Sequence, residues 1–384
     1  MKQGKIIGLL STEGCSRLRV AVVGGGIVGL FAAYYLKRDG AEVTIFEREY
    51  LGRGSIHAAG LIEPYRFDRI NSLGMIAKML RYMARGITRV RQVDPLWLKA
   101  LLRTLNRSPP QEAWERAKWM AEFSLKEYRR LAEERNDFDY DESGLYEVSL
   151  NERDFEDNFR DCLDSPLRPK CEEAEIKGLG RAVYFPELAK VSTEAFVERM
   201  RRELNGVTVA KKEVIDYLSL KGEFDEVVVA SGVNVRSLGL PITSFKGYGF
   251  RVIGNERVKL PVSVVLNDYG LAIVKNSGYV KLTAGFEADF SQGISEGERV
   301  FKLASRAVEV VRVIDGLEGW RPCTHDGFPL VGKFKGLVVA TGACRLGWSF
   351  APAMGKMASD LALGREKGFG YISGLSRLEG LAEL

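Results

Sequence analysis

The stretch from Arg19 to Glu47, RVAVVGGGIVGLFAAYYLKRDGAEVTIFE, constrains the fold more than any other part of this chain. Four apolar residues, Val20 to Val23, run directly into Gly24-Gly25-Gly26 and then Gly29. A helical pattern follows to Lys37, Gly40 closes it, and a second apolar run, Val43 to Phe46, ends on Glu47. A strand, a glycine-rich turn, a helix and a second strand thus follow one another without a break. The spacing is G-x-G-x-x-G, with an acid 18 residues after the last glycine. Gly24 permits the tight turn, Gly26 lets the backbone approach a pyrophosphate, and Gly29 lets the helix pack close to the strand. Backbone N–H groups at the helix start, at Ile27 and Val28, face such an anion with the helix dipole behind them. Glu47 is placed to accept hydrogen bonds from a ribose hydroxyl. The motif predicts a bound dinucleotide, and by itself admits NAD and FAD equally.

At 384 residues the chain is long for one simple core, and two domains are expected. Hydrophobic residues at 46% and charged residues at 28% are globular values. No apolar run reaches the eighteen or so residues that a membrane-spanning helix needs. Residues 1–18 read as a leader to the first strand, since Ile6 to Leu10 is too short for a signal sequence. A cytoplasmic protein is the expectation. Five cysteines without a C-x-x-C pair predict reduced thiols, with a Cys162–Cys171 bridge left open as a loop clasp. Abundant Arg, Lys and Glu beside only four Gln lean towards a thermophile. Two histidines, His57 and His325, offer no metal-ligand spacing, so no metal is expected.

The net charge of +5 is unevenly spread. Between Asn71 and Arg107 eight basic residues face Asp94 alone, so the segment carries +7 and the remainder −2. Within residues 73–91, Met75, Ile76, Met79, Leu80, Met83, Ile87 and Val90 share one helical side, and Lys78, Arg81, Arg85 and Arg89 the other. Two readings stand. The commoner is an apolar stripe facing the core with a solvated basic face. The other is a basic amphipathic helix lying on an anionic membrane, with residues 73–105 as the contact. Nucleic acid is not expected as a partner, because no regular interleaving of stacking aromatics accompanies the charges.

Further helices are predicted from Asp94-Pro95 and from Pro109-Pro110 to about Arg135. Another runs from Thr193 to Leu204 with Ser192 as its cap, and others cover Phe155–Cys162, Glu296–Val311 and Pro352–Gly364. Strands Val207–Val209, Phe224–Ala230 and Leu337–Ala340 return to a parallel nucleotide-binding sheet, whose ligands sit beyond the carboxyl ends. Short alternating strands between Tyr248 and Thr283 predict an antiparallel sheet. The fold class expected is α/β: a Rossmann-type domain assembled from residues 1–70, 176–239 and 318–384, and an α+β domain from 71–175 and 240–317. Such interleaving argues against a continuous NAD-binding unit.

With these motifs in order, the chain resembles the D-amino-acid oxidase/glycine oxidase family of FAD enzymes, and within it the D-amino-acid dehydrogenase branch. The resemblance covers nearly the whole length. It rests on Gly24 to Gly29 with Glu47, Gly54-Ser55, Ala58 to Pro64, Gly144-Leu145-Tyr146, Tyr184-Phe185-Pro186, Val227 to Gly232 and Lys246-Gly247-Tyr248. Its most specific part is Arg321-Pro322, Asp326-Gly327, Pro329 and Gly332, then Thr341-Gly342, Gly347 and Ala351 to Gly355.

The resemblance implies non-covalent FAD, held by Gly24, Gly26, Ile27, Val28, Gly29, Glu47, Arg48, Gly54, Ser55, Ala59, Gly60 and Leu61. It adds Val214, Ser231, Gly232, Gly342, Arg345, Leu346, Gly347 and Trp348 as further cofactor contacts. Arg321 matches the arginine that clamps the substrate carboxylate, a bidentate task suited to a planar guanidinium. Tyr248 matches a position that can face the substrate, against a plain reading as a core aromatic, and Arg345 one near the substrate entrance. Cys323 is offset from the position at which sarcosine-oxidase relatives attach flavin, and Ala343-Cys344 stand where relatives often carry histidine. The implied reaction is oxidative deamination of small neutral D-amino acids or D-proline, by hydride transfer to flavin N5. No side-chain base is required, in keeping with the lack of a Ser–His or paired-carboxylate set. Electrons would pass to a quinone or a dye, with peripheral contact at the inner face of the membrane. The alternatives are a glycine/sarcosine-type oxidase that releases hydrogen peroxide, and a flavin-bound subunit without catalysis.

Overall fold

A computed structural model describes residues 17–293, 297–374 and 377. In chain order the first elements are β1 (Arg19–Val23), α1 (Ile27–Arg38), β2 (Glu42–Glu47), β3 (Leu61–Ile62), α2 (Leu73–Ala84), α3 (Pro95–Arg103) and α4 (Gln111–Glu134). Then come β4 (Leu145–Val148), α5 (Glu152–Leu163), β5 (Glu172–Ile176), β6 (Gly180–Phe185), β7 (Ala189–Lys190), α6 (Thr193–Glu203), β8 (Thr208–Lys211) and β9 (Glu226–Val229). The last third holds β10 (Thr243–Glu256), β11 (Ser263–Leu266), β12 (Leu271–Asn276), β13 (Tyr279–Ala288) and α7 (Gly297–Ala304). It ends with β14 (Val308–Cys323), β15 (Leu330–Phe334), β16 (Leu337–Thr341) and α8 (Gly347–Ala362).

Six strands form one sheet in the order β15-β16-β9-β1-β2-β8. The neighbours from β16 to β8 pair in parallel, and β15 closes one edge antiparallel. Alternation along β1 explains its burial. Val20 and Val22 face α1, α4, α6 and α8, while Ala21 and Val23 join a second apolar layer with Tyr217, Leu220 and Val339. The turn after β1 needs its glycines. Gly24 lies at φ +105° with its Cα against the Ala230 carbonyl, and a Cβ on Gly29 would sit 1.9 Å from the Gly24 oxygen.

Eight strands form a second sheet, β14-β10-β13-β12-β11-β4-β6-β5, antiparallel except where β11 meets β4. Its spine is the long pairing of β10 with β14, from Thr243↔Cys323 to Glu256↔Val308. Two strands lie differently from the domain limits drawn on the sequence. β6 belongs to this second sheet, and β14 runs unbroken through residue 318.

Other expectations need correction. The region read as one helix to Val311 is α7 followed from Val308 by β14, and Glu296 lies outside the described residues. Alternation of Val308, Val310 and their polar neighbours matched a helical period only loosely, and pairing with β10 decides for strand. Cysteines read as reduced thiols are joined as Cys162–Cys171 and Cys323–Cys344. The first is the loop clasp left open above, while the second joins residues 21 apart that no spacing rule pairs. The leader at 1–16 falls outside the described residues. Ser192 does cap α6, accepting the Ala195 N–H.

The amphipathic segment follows neither reading cleanly. No residue of α2 is buried. Part of its basic side lies along the acidic face of α5 with Arg81 and Arg85 still exposed: Lys78 pairs with Asp161, Arg81 with Asp157, and Arg85 with Asp154 at 2.7 Å. Of the apolar stripe, Ile87 is buried and Met79 packs against a core cluster. Leu73, Leu80 and Met83 on α2, and Leu98 and Leu102 on α3, stand exposed.

Candidate functional site

A cavity of about 270 Å³ runs along the carboxyl ends of the six-stranded sheet and reaches the rim of the second sheet. At one end, Gly24, Gly26, Ile27 and Val28 present the start of α1, a helix whose N-cap residue, Gly26, has no side chain to close it. The Ile27 N–H donates to Ser55 Oγ at 3.0 Å. Glu47, at the end of β2, is held at the wall because its carboxylate accepts the Gly25 N–H at 2.8 Å and the Glu49 N–H at 3.1 Å. Arg48, Gly54, Val214, Ser231 and Gly232 complete this end. An open helix N-terminus beside a fixed carboxylate at a strand end is the donor set that a dinucleotide's pyrophosphate and ribose require.

Further along, Gly342, Arg345, Gly347 and Trp348 line the cavity where α8 begins. The Trp348 indole N–H donates to the Ser55 carbonyl at 3.0 Å, locking this helix start to the loop after β2. Gly29, Ala59, Gly60, Leu61 and Leu346 do not line the cavity. Gly29 acts through helix–strand packing, and Leu61 lies in β3, against β7.

At the far end stand Trp320, Arg321 and Pro322 from β14. The Arg321 side chain lies flat across β10, where a Cβ on Gly247 would come within 2.5 Å of its guanidinium. Its Nη1–H donates to the Gly285 carbonyl at 2.9 Å, and the Phe286 ring lies 5.6 Å away. Among the described residues no carboxylate forms an ion pair with it. Burial, and secondly the Arg345 charge, lower its pKa to about 10. A buried cation lacking a carboxylate is costly to hold unless an anion joins it.

Arg345, in contrast, is committed. Its Nε pairs with Asp68 at 2.6 Å, its Nη1 lies 3.6 Å from Glu63, and its Nη2–H donates to the Arg66 carbonyl at 2.7 Å. Although it borders the cavity, its hydrogen bonds shape the 63–68 turn. Tyr248 is not brought to the cavity. It packs in the core of the second sheet, and its hydroxyl donates to Glu287 at 3.5 Å.

Three features were not found from the sequence. His57 lines the cavity, and its ring fills the space that a side chain at Gly319 would take. Burial, then the charges of Arg321, Lys281 and Arg53, lower its pKa to about 3, so it is neutral near pH 7. Lys281, buried in β13, holds the loop in place: its ammonium donates to the Ile56 carbonyl, to Thr193 Oγ1 at 2.6 Å and to Glu194 at 2.7 Å. Glu63 is buried with one oxygen unpartnered, and burial pushes its carboxyl up to about 7. A lone His in a small-residue loop and a lone Lys in a strand carry no motif, so only proximity reveals them.

The model of the family described as FAD dependent oxidoreductase matches residues 19–361. The chain is 40% identical over 358 residues to a D-proline dehydrogenase of Pyrobaculum islandicum, covering 91% of this chain and 96% of that protein. It is 24% identical to a D-amino acid dehydrogenase of Helicobacter pylori, covering 89% and 94%. Among solved structures, glycine oxidase from Bacillus cereus superposes with a TM-score of 0.66 at 18% identity, over 91% of this chain and 96% of that one. L-proline dehydrogenase from P. horikoshii gives 0.61 at 16%, over 93% and 96%.

Proposed function

The chain belongs to the FAD-dependent oxidoreductase family of D-amino-acid oxidase type, and on that premise we propose that it dehydrogenates small neutral D-amino acids, D-proline among them. FAD is the cofactor, and it supplies the two-electron acceptor for the substrate's α-carbon–hydrogen bond. The ADP half fits the α1 start, Glu47 and the Ser231-Gly232 turn. The ring system fits the stretch between Ser55 and Trp348, where the start of α8 directs its positive dipole end into the cavity. Among the described residues no free thiol lines the cavity for a covalent link, since Cys344 is bonded to Cys323.

The observation that carries the reading is Arg321: half-buried, at the cavity, and without an ion-paired carboxylate among the described residues. Its planar fork would take an amino acid's carboxylate in two parallel hydrogen bonds. Carboxylate binding there orients the α-carbon, and the apolar Trp320 and Pro322 beside it keep water from the reacting bond. From a primary amino acid the resulting imine is hydrolysed by water to a 2-oxo acid and ammonia, whereas from proline it is a cyclic imine whose nitrogen stays bonded to the ring carbon. Arg345 and Glu63 hold the 63–68 turn that borders the cavity mouth.

The electron acceptor we propose is a membrane quinone, for which a dye can substitute. Exposed leucines on α2 and α3, in the segment of highest positive charge, support peripheral contact with an anionic membrane at its inner face. No helix among the described residues is long and apolar enough to cross a membrane.

The test is a panel of D- and L-amino acids, glycine and N-methyl amino acids added anaerobically to the purified holoenzyme. Bleaching of the flavin by small D-amino acids, with turnover once a dye is added, is the expected result. Peroxide released in air at a rate matching turnover would identify an oxidase instead. No bleaching by any of them would sink both enzyme readings and leave flavin as a structural group.

A further inference from the structure

The Cys323–Cys344 disulfide stands between the two arginines of the site. Cys323 ends β14 two residues beyond Arg321, and Cys344 immediately precedes Arg345 and borders the cavity. The two segments also meet without the bond: the Cys323 backbone bridges to Ala343, and the Thr324 hydroxyl lies 3.4 Å from the Gly342 carbonyl, to which it can donate. Cys344 itself lies at φ +50°, a left-handed conformation few non-glycine residues adopt. Both cysteines pack with Trp97 and Phe245. Phe245 stacks on Phe286, the ring beside the Arg321 guanidinium.

We propose that this disulfide is a positioning bond for the substrate: it ties the strand that carries Arg321 to the loop that leads into α8, fixing the spacing between carboxylate clamp and flavin. The proposal rests on the reading of Arg321 as that clamp. It also makes substrate affinity sensitive to reduction. A small dithiol opens the bond when its thiolate attacks the sulfur of Cys344, the member of the pair that lines the cavity, and Cys323 leaves as a thiolate that takes up a proton. The second reductant thiol then displaces Cys344, which leaves as a thiol, and the reductant departs as a cyclic disulfide. With the bond open, β14 and the 341–346 loop are joined only by non-covalent contacts, and the clamp has more than one resting distance from the cofactor.

The experiment uses holoenzyme purified without reductant. Alkylation and peptide mass spectrometry establish the bond. Steady-state kinetics with the best substrate of the panel then compare the wild type, the wild type treated with dithiol, and the double variant Cys323→Ser/Cys344→Ser. A rise in KM of about tenfold or more is expected in both altered forms, larger than any fall in kcat, with the flavin absorbance retained. Reoxidation should restore the wild-type KM. A KM within about twofold of wild type in the double variant overturns the proposal, even where the melting temperature falls. Free thiols at both positions in the untreated enzyme overturn it as well. Arg321→Lys in the same assay separates the two ideas: an unchanged KM there removes the clamp, whereas a raised KM there with an unaltered cysteine variant removes only the positioning bond.

Discussion

A guanidinium turned flat against two backbone carbonyls, with Gly247 beneath it, keeps most of its donors for something else. Arg321→Lys replaces that fork with a point charge of different reach. KM should rise by about a hundredfold or more, the cost of losing a charge-assisted pair, while the flavin stays bound. Unchanged kinetics would remove the clamp. His57 makes a second prediction, on stability. Its folded pKa of about 3 lies below the ordinary histidine value, so between those two pH values the unfolded chain binds the extra proton and the folded one does not. Stability from this residue is therefore complete above about pH 6.5 and is lost as pH falls towards 3. His57→Asn should flatten the fall of the unfolding midpoint between pH 6.5 and 4, and a variant with the wild-type slope would contradict this. Arg321 could be named from its Arg-Pro context by resemblance. The hydroxyl direction of Tyr248 could not, because which face of β10 meets the cavity depends on how the strand is seated.

At the scale of elements, local pattern was a good guide wherever an element makes its own case. The start of α1, its glycine turn and the two flanking strands read correctly because each contact lies within a few residues. Facing is another matter. The stripe on α2 was legible, but how the helix is seated depends on Asp154, Asp157 and Asp161 on α5, which pair with Lys78, Arg81 and Arg85 along one edge. The exposed leucines left outside predict that the protein co-sediments with vesicles rich in anionic lipid and that Leu80→Glu with Leu102→Glu abolishes this. Equal recovery of variant and wild type would rule the contact out. The Cys162–Cys171 clasp pins the end of α5 to the start of β5. Its replacement by serines should cost about 2–3 kcal/mol of stability by the loop-entropy argument, read as a lower melting temperature with KM unaltered.

For the whole molecule, the cavity lies where two sheets meet, and a buried ion pair ties the turn after β3 to the second of them. Arg66, in the turn after β3, pairs with Glu147 of β4 at 2.6 Å, with both side chains almost fully buried. Burial opposes ionisation of Glu147, yet the Arg66 charge and hydrogen bonds hold its carboxyl below the usual range. Arg66→Ala would strand that carboxylate, and a loss of about 3–5 kcal/mol is expected in urea unfolding. A loss under about 1 kcal/mol would show that the pair contributes little to holding the turn after β3 on the second sheet. Arg66→Ala with Glu147→Leu should recover much of the loss, since replacing both partners removes the stranded charge.

What the sequence determined by itself was the nucleotide half of the protein. Glycine spacing, an apolar strand and a terminal acid act within one βαβ unit, where chain connectivity brings the groups together. Assembly of the second half was decided by tertiary structure. Gly319 of β14 meets the His57 ring, Cys323 meets Cys344, and Lys281 reaches α6 because strands distant in sequence pair at particular registers. Those registers are chosen by the burial of whole faces at once, so no single stretch of the chain records them.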